Sequence, residues 1–330
     1  MRPDPIRQAL HLPHRAAGSA LLAALLTVAL VAVFASQAFW QEWRSIEIET
    51  ADRSRLQAGW LLGGTHDWAR ARLSDDAQRN GAVDHAGEAW AQPVARLPLD
   101  AFLAGSAAPA DANASASPFL SQQVSDAQGK MNVLNLLEGQ TLSPLWLQAF
   151  DKLFEILKLP PEQLINLTNN LLQASARSSA QVGSVLLPQQ STQLVWLGLA
   201  PTTLDALQAH VTLLPSRTPV NLNSASVEVL QSLLPSFKRA EAQRIVALRL
   251  STPLRSVADA GISAQQSNGQ YSVNSRYFEL HTEIWLGSVS VAENALLQRD
   301  GTNVRTLWRR RSVVEEKTAR MTSLALQNPL

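Results

Sequence analysis

The stretch SALLAALLTVALVAVFASQAF, Ser19 to Phe39, contains no charged residue. About 20 apolar residues in a helix span roughly 30 Å, the thickness of the hydrocarbon core of a bilayer. Upstream, Arg2, Arg7, His11, His14 and Arg15 face a single acid, Asp4. Cations on the N-terminal flank leave that flank cytoplasmic and send the remainder of the chain outward. Three explanations compete for this segment. It is a simple signal anchor; or a cleaved secretory signal, with Ser36 and Ala38 as the small residues at the cut; or the retained core that follows a basic leader cut on the cytoplasmic side. The apolar run is long for the second.

The sequence after Phe39 bears on the choice. WQEWRSIEIETADRSRLQAGWLLGGTHDWARARL, residues 40–73, has no proline, and Leu56, Trp60, Gly64 and Trp68 recur every four residues. That spacing predicts one stripe of a helix. Ser19 to about Leu73 then forms a single helix, half in lipid and half amphipathic, on the order of 80 Å long at 1.5 Å per residue. The Gly63-Gly64 pair weakens it by about 1 kcal/mol per glycine and marks a bend or a close helix–sheet contact. A secretory signal has no reason to run on in this way.

Bulk composition narrows the function. At 330 residues the chain has room for two or three cores. It carries 28 basic against 27 acidic side chains, a formal charge of +1, so it lacks the surplus typical of a nucleic-acid binder. Without cysteine it has no disulfide, thiolate metal site or cysteine nucleophile. Six histidines are scattered, none in HExxH. GxSxG and glycine-rich phosphate loops are missing, and His281-x-Glu283 lacks the cysteines of a zinc deaminase. Asp84, His85 and Glu88 form the one cluster suited to acid–base or metal chemistry, and such a trio is more often a polar loop. No catalytic residue is assigned, and an enzyme is not expected.

Periodicity divides the remainder. Residues 74–135 read as short segments with turn residues, closing on a hairpin turn at Asp126–Gly129 from which Met131 and Val133 alternate outward. Residues 104–118 are rich in Ala, Ser and Pro, a solvent loop. From Ser143-Pro144 the period becomes helical, with an apolar face at Trp146, Phe150, Leu153 and Leu157. Pro160-Pro161 opens a second helix, and Pro201 a third that includes Leu204, Leu207 and Val211. From Asn268 the period returns to two. His281 and Glu283 alternate with Leu280, Thr282 and Ile284, a strand with one solvated face, and Asp300-Gly301 makes a closing hairpin.

Residues 219–259 carry the most specific signal in the soluble part. A helix capped at Asn223 or Ser224 runs through Val227, Leu230 and Leu233; a second runs through Ala242, Ile245 and Leu248; a short third is capped by Ser256 with Asp259 three on. This resembles a helix-hairpin-helix, or SAM-like, unit. DNA-binding versions use glycines in the hairpin to bring backbone N–H groups to a phosphate. Here the hairpin is Leu234-Pro235-Ser236-Phe237, with Lys238, Arg239, Arg244 and Arg249 nearby. The alternative function is therefore a membrane-anchored, periplasmic DNA-binding protein.

Taken together, AAGSALLAALLTVALVAV, DHAGEAWAQPV, VSDAQGKMNVLNLL, STQLVWLGLAPTTLDALQAHVTLLP and VNLNSAS resemble the minor pseudopilin K family of type II secretion systems. The resemblance implies an α+β fold: a pilin-like long N-terminal helix packed on an antiparallel sheet, with a large all-helical insertion. The implied organisation is a leader over 1–18, a transmembrane and amphipathic helix over 19–73 and the first part of the sheet domain over 74–137. An inserted helical domain follows over 138–265, its second SAM-like unit at about 216–265, then the last strands over 266–310 and a flexible tail over 311–330. Cleavage is implied between Gly18 and Ser19, although serine is unusual at a mature start in this superfamily. Ala23 then stands at the filament-assembly position where other pseudopilins carry glutamate. A carboxylate there would be costly in lipid unless paired with a neighbour's amine. A subunit without it can sit at the top of a filament. The implied role is a structural tip subunit of the pseudopilus that supports export of folded proteins across the outer membrane. Implied partners are minor pseudopilins I and J, the pseudopilus, prepilin peptidase, the inner membrane and the exported substrate, with no nucleic acid. Calcium is an admissible cofactor, with Asp84, Glu88, Asp126 and Asn268 as loose oxygen-ligand candidates.

Overall fold

The computed structural model describes residues 16–79, 83–103, 118–176, 186–233, 239–263, 267, 269–287 and 289–313. The leader up to Arg15, most of the Ala/Ser/Pro-rich loop, the hairpin at 234–238, Asn268 and the tail from 314 lie outside them. The chain divides into two compact units, Met1–Gln57 and Ala58–Leu330. Helix α1 (Ala16–Arg79) contributes to both. Proline-free sequence lets it run on, and exposed pairs such as Glu49–Arg53 and Asp75–Arg79 sit one turn apart along it. It continues six residues past the expected end at Leu73.

In the second unit, a five-stranded antiparallel sheet has the order β1-β2-β9-β10-β11. Its strands are β1 (Val94–Pro98), β2 (Phe119–Asp126), β9 (Tyr277–Leu286), β10 (Val289–Asp300) and β11 (Asn303–Val313). A short helix, α2 (Leu99–Leu103), follows β1. The last hairpin turns at Asp300-Gly301, with Asp300 opposite Asn303 and Gly301 at φ +58°. Strand β11 reaches Val313, so Arg311 to Val313, expected in the tail, belong to the sheet.

The helix face that packs on this sheet is offset from the stripe that the sequence brought out. Ala58, Leu62, Thr65, His66, Ala69, Leu73 and Asp76 are buried, whereas Leu56 and Trp60 are 68 % and 81 % exposed. Small or polar side chains win the inner face because the sheet beneath is itself partly polar. Gln122 donates to the Thr65 carbonyl at 2.9 Å, and His66 lies 2.7 Å from Thr306 Oγ1. Apolar contact resumes lower down, where Ala69 and Leu73 meet Trp90, Val124, Phe278, Leu280, Ala295, Leu297 and Val304. Gly63 and Gly64 mark no close contact, since a Cβ at either would meet open space.

The remaining strands and α-helices belong to the insertion between β2 and β9. They are β3 (Met131–Asn132), β4 (Leu137–Glu138), β5 (Thr141–Leu142), α3 (Pro144–Ile156), α4 (Pro161–Ala176), α5 (Pro201–Leu207), β6 (Val211–Thr212), β7 (Val220–Asn221), α6 (Val227–Leu233), α7 (Arg239–Ser251) and β8 (Tyr271–Ser272). The expected hairpin at Asp126–Gly129 does not form. Asp126 instead caps a tight turn through Gln128 N–H, and β3 then pairs in parallel with β6. Met131 and Val133 are both fully buried, in one core with Phe150, Phe154, Leu167, Leu230 and Tyr271. The insertion's core thus begins ahead of residue 138 and ends beyond 265. Val211 lies in β6, not on the helix opened by Pro201. Gly129 is required by close approach, because a Cβ there would come within 2.8 Å of Ser224 Oγ.

Candidate functional site

Two features stand out: the apolar run of the first unit, and a polar junction in the head. In the first, Ser19 to Thr50 are all exposed, including Ala23. Among the described residues, α1 is the one helix long and apolar enough to cross a membrane. Trp40 and Trp43 follow its apolar run, their rings 5.8 Å apart, where amphipathic rings sit at a lipid headgroup boundary. Gly18 and Ser19 lie within the helix.

The head junction gathers Asp76 at the end of α1, Asp84 and Glu88 from the loop behind it, Asp126 at the end of β2, and Arg299 from β10. Potential ligand atoms of Asp76, Asp84 and Glu88 all lie within 4.8 Å of one another. Arg299, 7 % exposed, donates to Asp76 at 3.0 Å and also to Asp84 and the Ser275 carbonyl. Its guanidinium lies 4.8 Å from the Phe278 ring centroid. The second Asp84 oxygen accepts Ser275 N–H at 2.7 Å. Glu88 Oε2 accepts both Trp90 Nε1 (2.8 Å) and His85 N–H (3.0 Å).

Asp126 joins the same assembly through Asn221 and Ser275. Asn221 Nδ2 donates to Asp126 and to the Asp84 carbonyl, and Ser275 Oγ donates to Asp126 at 2.7 Å. Ser224 and Gln128 N–H complete its shell. Burial pushes the Asp84 and Asp126 carboxyls above their ordinary range and takes Glu88 to about 7. Asn221 and Ser224 come from the VNLNSAS stretch, so that stretch ties the insertion to the sheet domain.

These residues do not fit calcium. A calcium ion needs six to eight oxygen ligands at about 2.3–2.6 Å. Here N–H and O–H donors already occupy both oxygens of Asp84 and of Asp126 and Oε2 of Glu88, and the cation among Asp76 and Asp84 is Arg299. Of the four candidate ligands the structure brings together Asp84, Glu88 and Asp126; Asn268 is not described. His85 stands aside, its Nδ1 accepting Gly87 N–H at 3.1 Å. Sequence reasoning missed Asp76 and Arg299. Only a pairing across 223 residues makes them partners.

A second polar cluster lies under the helix. Glu293, 1 % exposed, accepts from Arg309 (2.9 Å) and Arg311 (2.8 Å), with His66 Nδ1 at 3.6 Å. Burial acts to raise the Glu293 pKa, but His66 and the two arginines outweigh it and hold it down at about 2. On the opposite face of the sheet, Glu283 is buried beside His281 (3.1 Å), so that face is not simply solvated as the alternation suggested. Two of the 219–259 cations are engaged within the chain. Arg239 pairs with Glu228 at 3.5 Å, and Arg249 turns inward to the Leu222 carbonyl.

A family model described as type II secretion system, protein K, matches residues 220–278, the segment on which the DNA-binding alternative rested. A curated relative, type II secretion system protein K of Pseudomonas aeruginosa, is 26 % identical over 312 residues, covering 86 % of this chain and 88 % of its own. Both likenesses are to protein K of type II secretion systems. A solved structure shares the fold. The crystal structure of the GspK–GspI–GspJ complex from the enterotoxigenic Escherichia coli type 2 secretion system contains a chain that aligns with a TM-score of 0.61. That alignment has 19 % identity and covers 81 % of this chain and 99 % of the other. The DNA-binding alternative finds no support in any of these likenesses. The apolar helix is long enough to hold such a chain in a membrane.

Proposed function

We propose that this protein is a structural minor pseudopilin that sits at the tip of the type II secretion pseudopilus and performs no catalysis. The observation that carries the reading is the first unit's helix, which buries none of Ser19–Thr50 within the chain. Such a surface needs lipid before assembly and other helices after it. Leu56 and Trp60 are large apolar side chains that are likewise exposed.

On this reading, prepilin peptidase cuts between Gly18 and Ser19, and the N-terminus lies on the cytoplasmic side of the inner membrane with the head in the periplasm. Ala23 leaves no carboxylate to be neutralised by a subunit above, which suits a terminal position. The partners are minor pseudopilins I and J, as in the complex named for its solved relative, and the exported substrate is a further contact. Co-expression of the full chain with both partners tests this. A stoichiometric complex that survives purification is expected, and a protein K that elutes alone contradicts it.

A further inference from the structure

Strand β1 accompanies β2 only from Pro98 to Val94, opposite Phe119 to Gln122. Along Gln123–Asp126, β2 keeps β9 on one side and, among the described residues, has no strand on the other. A bare strand edge is a template for another chain. This one opens into a cleft of about 650 Å³, the size of a ligand pocket. One wall is the edge itself, with Trp90 and Lys130; the other is the insertion, with Ser226, Arg249 and Leu250.

The charges in the cleft do not cancel. Lys130 is matched by Glu279 at 2.8 Å. Asp126, the acid in the lining, is buried and enclosed by four donors. Arg249 donates to the Leu222 carbonyl at 2.6 Å and has no carboxylate partner among the described residues. Burial alone acts on it, lowering its pKa to about 10. A partly desolvated guanidinium with spare donors recruits a carboxylate. Leu250, 81 % exposed at the same mouth, adds an apolar contact.

We propose that this cleft docks an extended, acid-bearing polypeptide segment supplied in trans, which adds to β2 at Gln123–Asp126 as a short antiparallel strand in line with β1 and sets a carboxylate on Arg249. Main-chain pairing gives such a site its affinity and the side-chain pockets give it selectivity. The inference is independent of the filament role.

The test uses the full chain in detergent micelles and the blocked peptide acetyl-Thr-Val-Glu-Val-Thr-amide as probe. At millimolar peptide, hydrogen exchange of the Gln123–Asp126 amides slows. Replacing the peptide's Glu by Gln weakens binding about tenfold, and N-methylating the backbone of a central residue abolishes it. With Arg249→Gln the Glu and Gln peptides bind alike, while Arg249→Lys keeps part of the preference. These peptide changes leave the protein untouched, so misfolding cannot imitate them. No protection at millimolar peptide, or equal binding of the Glu, Gln and N-methyl forms, overturns the proposal. A chain ending at Val313 that binds the probe about tenfold more tightly than the full chain also overturns it, by showing that residues 314–330 fill the cleft in cis.

Discussion

Ser19–Thr50 and the head are built on opposite principles. The first stretch is uncharged as far as Phe39 and buries nothing inside the chain; its neighbours must come from outside. The head buries its own apolar core and, with it, an unusual number of polar groups: Asp76, Asp84, Glu88, Asp126, Glu293 and Arg299. Buried charge adds little stability over well-packed apolar groups, but removing one partner is costly. The contrast teaches that the stem region is specified by what surrounds it, and the head by pairings within itself.

Removing the cation of the junction should give the largest effect. Arg299→Met removes the cation beside buried Asp76 and Asp84 and is expected to cost about 3–5 kcal/mol, read by denaturant unfolding of the head. Next comes a matched pair of truncations on the same helix. Leu62→Ala, under the helix, should cost about 2–5 kcal/mol, whereas Leu25→Ala in the first unit should leave head unfolding within about 0.5 kcal/mol. Equal effects would break the comparison.

The pH dependence sharpens it. Burial raises the Glu88 pKa to about 7, so the folded head holds a proton that the unfolded chain has released. The stability linked to that proton is complete below about pH 4.5 and is lost as pH rises through 7. Asp84 and Asp126 act in the same sense. Glu293 opposes them, because its depressed pKa contributes stability above about pH 4.5 that is lost as pH falls towards 2. Glu88→Gln, a mimic of the protonated acid, should match the parent near pH 5 and exceed it near pH 8 in thermal melts. A parallel offset at both would contradict the assignment. The smallest effect is a gain: Gly64→Ala, with open space for its Cβ, should stabilise the head by about 0.5–1 kcal/mol.

What could be read from the sequence follows the range of the interactions. The apolar run, the helices opened by Pro144, Pro161 and Pro201, and the Asp300-Gly301 hairpin are local and were legible. The Leu56–Trp60 stripe misled, because its period is right for a helix but the buried face is chosen by the sheet below, where Gln122, Thr282 and Glu293 demand small or polar neighbours. Asp126–Gly129 looked like a hairpin because its residues suit a turn. The turn is real, but the strand after it pairs with β6, about 80 residues on, which no local pattern encodes. Likewise Asp84, Glu88 and Asp126 stood out as acids, while the arginine that makes calcium unnecessary there lies in a strand that was read only for its alternation.

The account rests on the apolar helix staying with the protein as the surface by which it is held. Intact-mass measurement of the membrane-extracted protein from its native host tests this most directly. A polypeptide beginning at Ser19, and therefore retaining Ser19–Phe39, is the expected result. A released, soluble form beginning downstream of Phe39 would contradict the assignment of this chain to a pseudopilus.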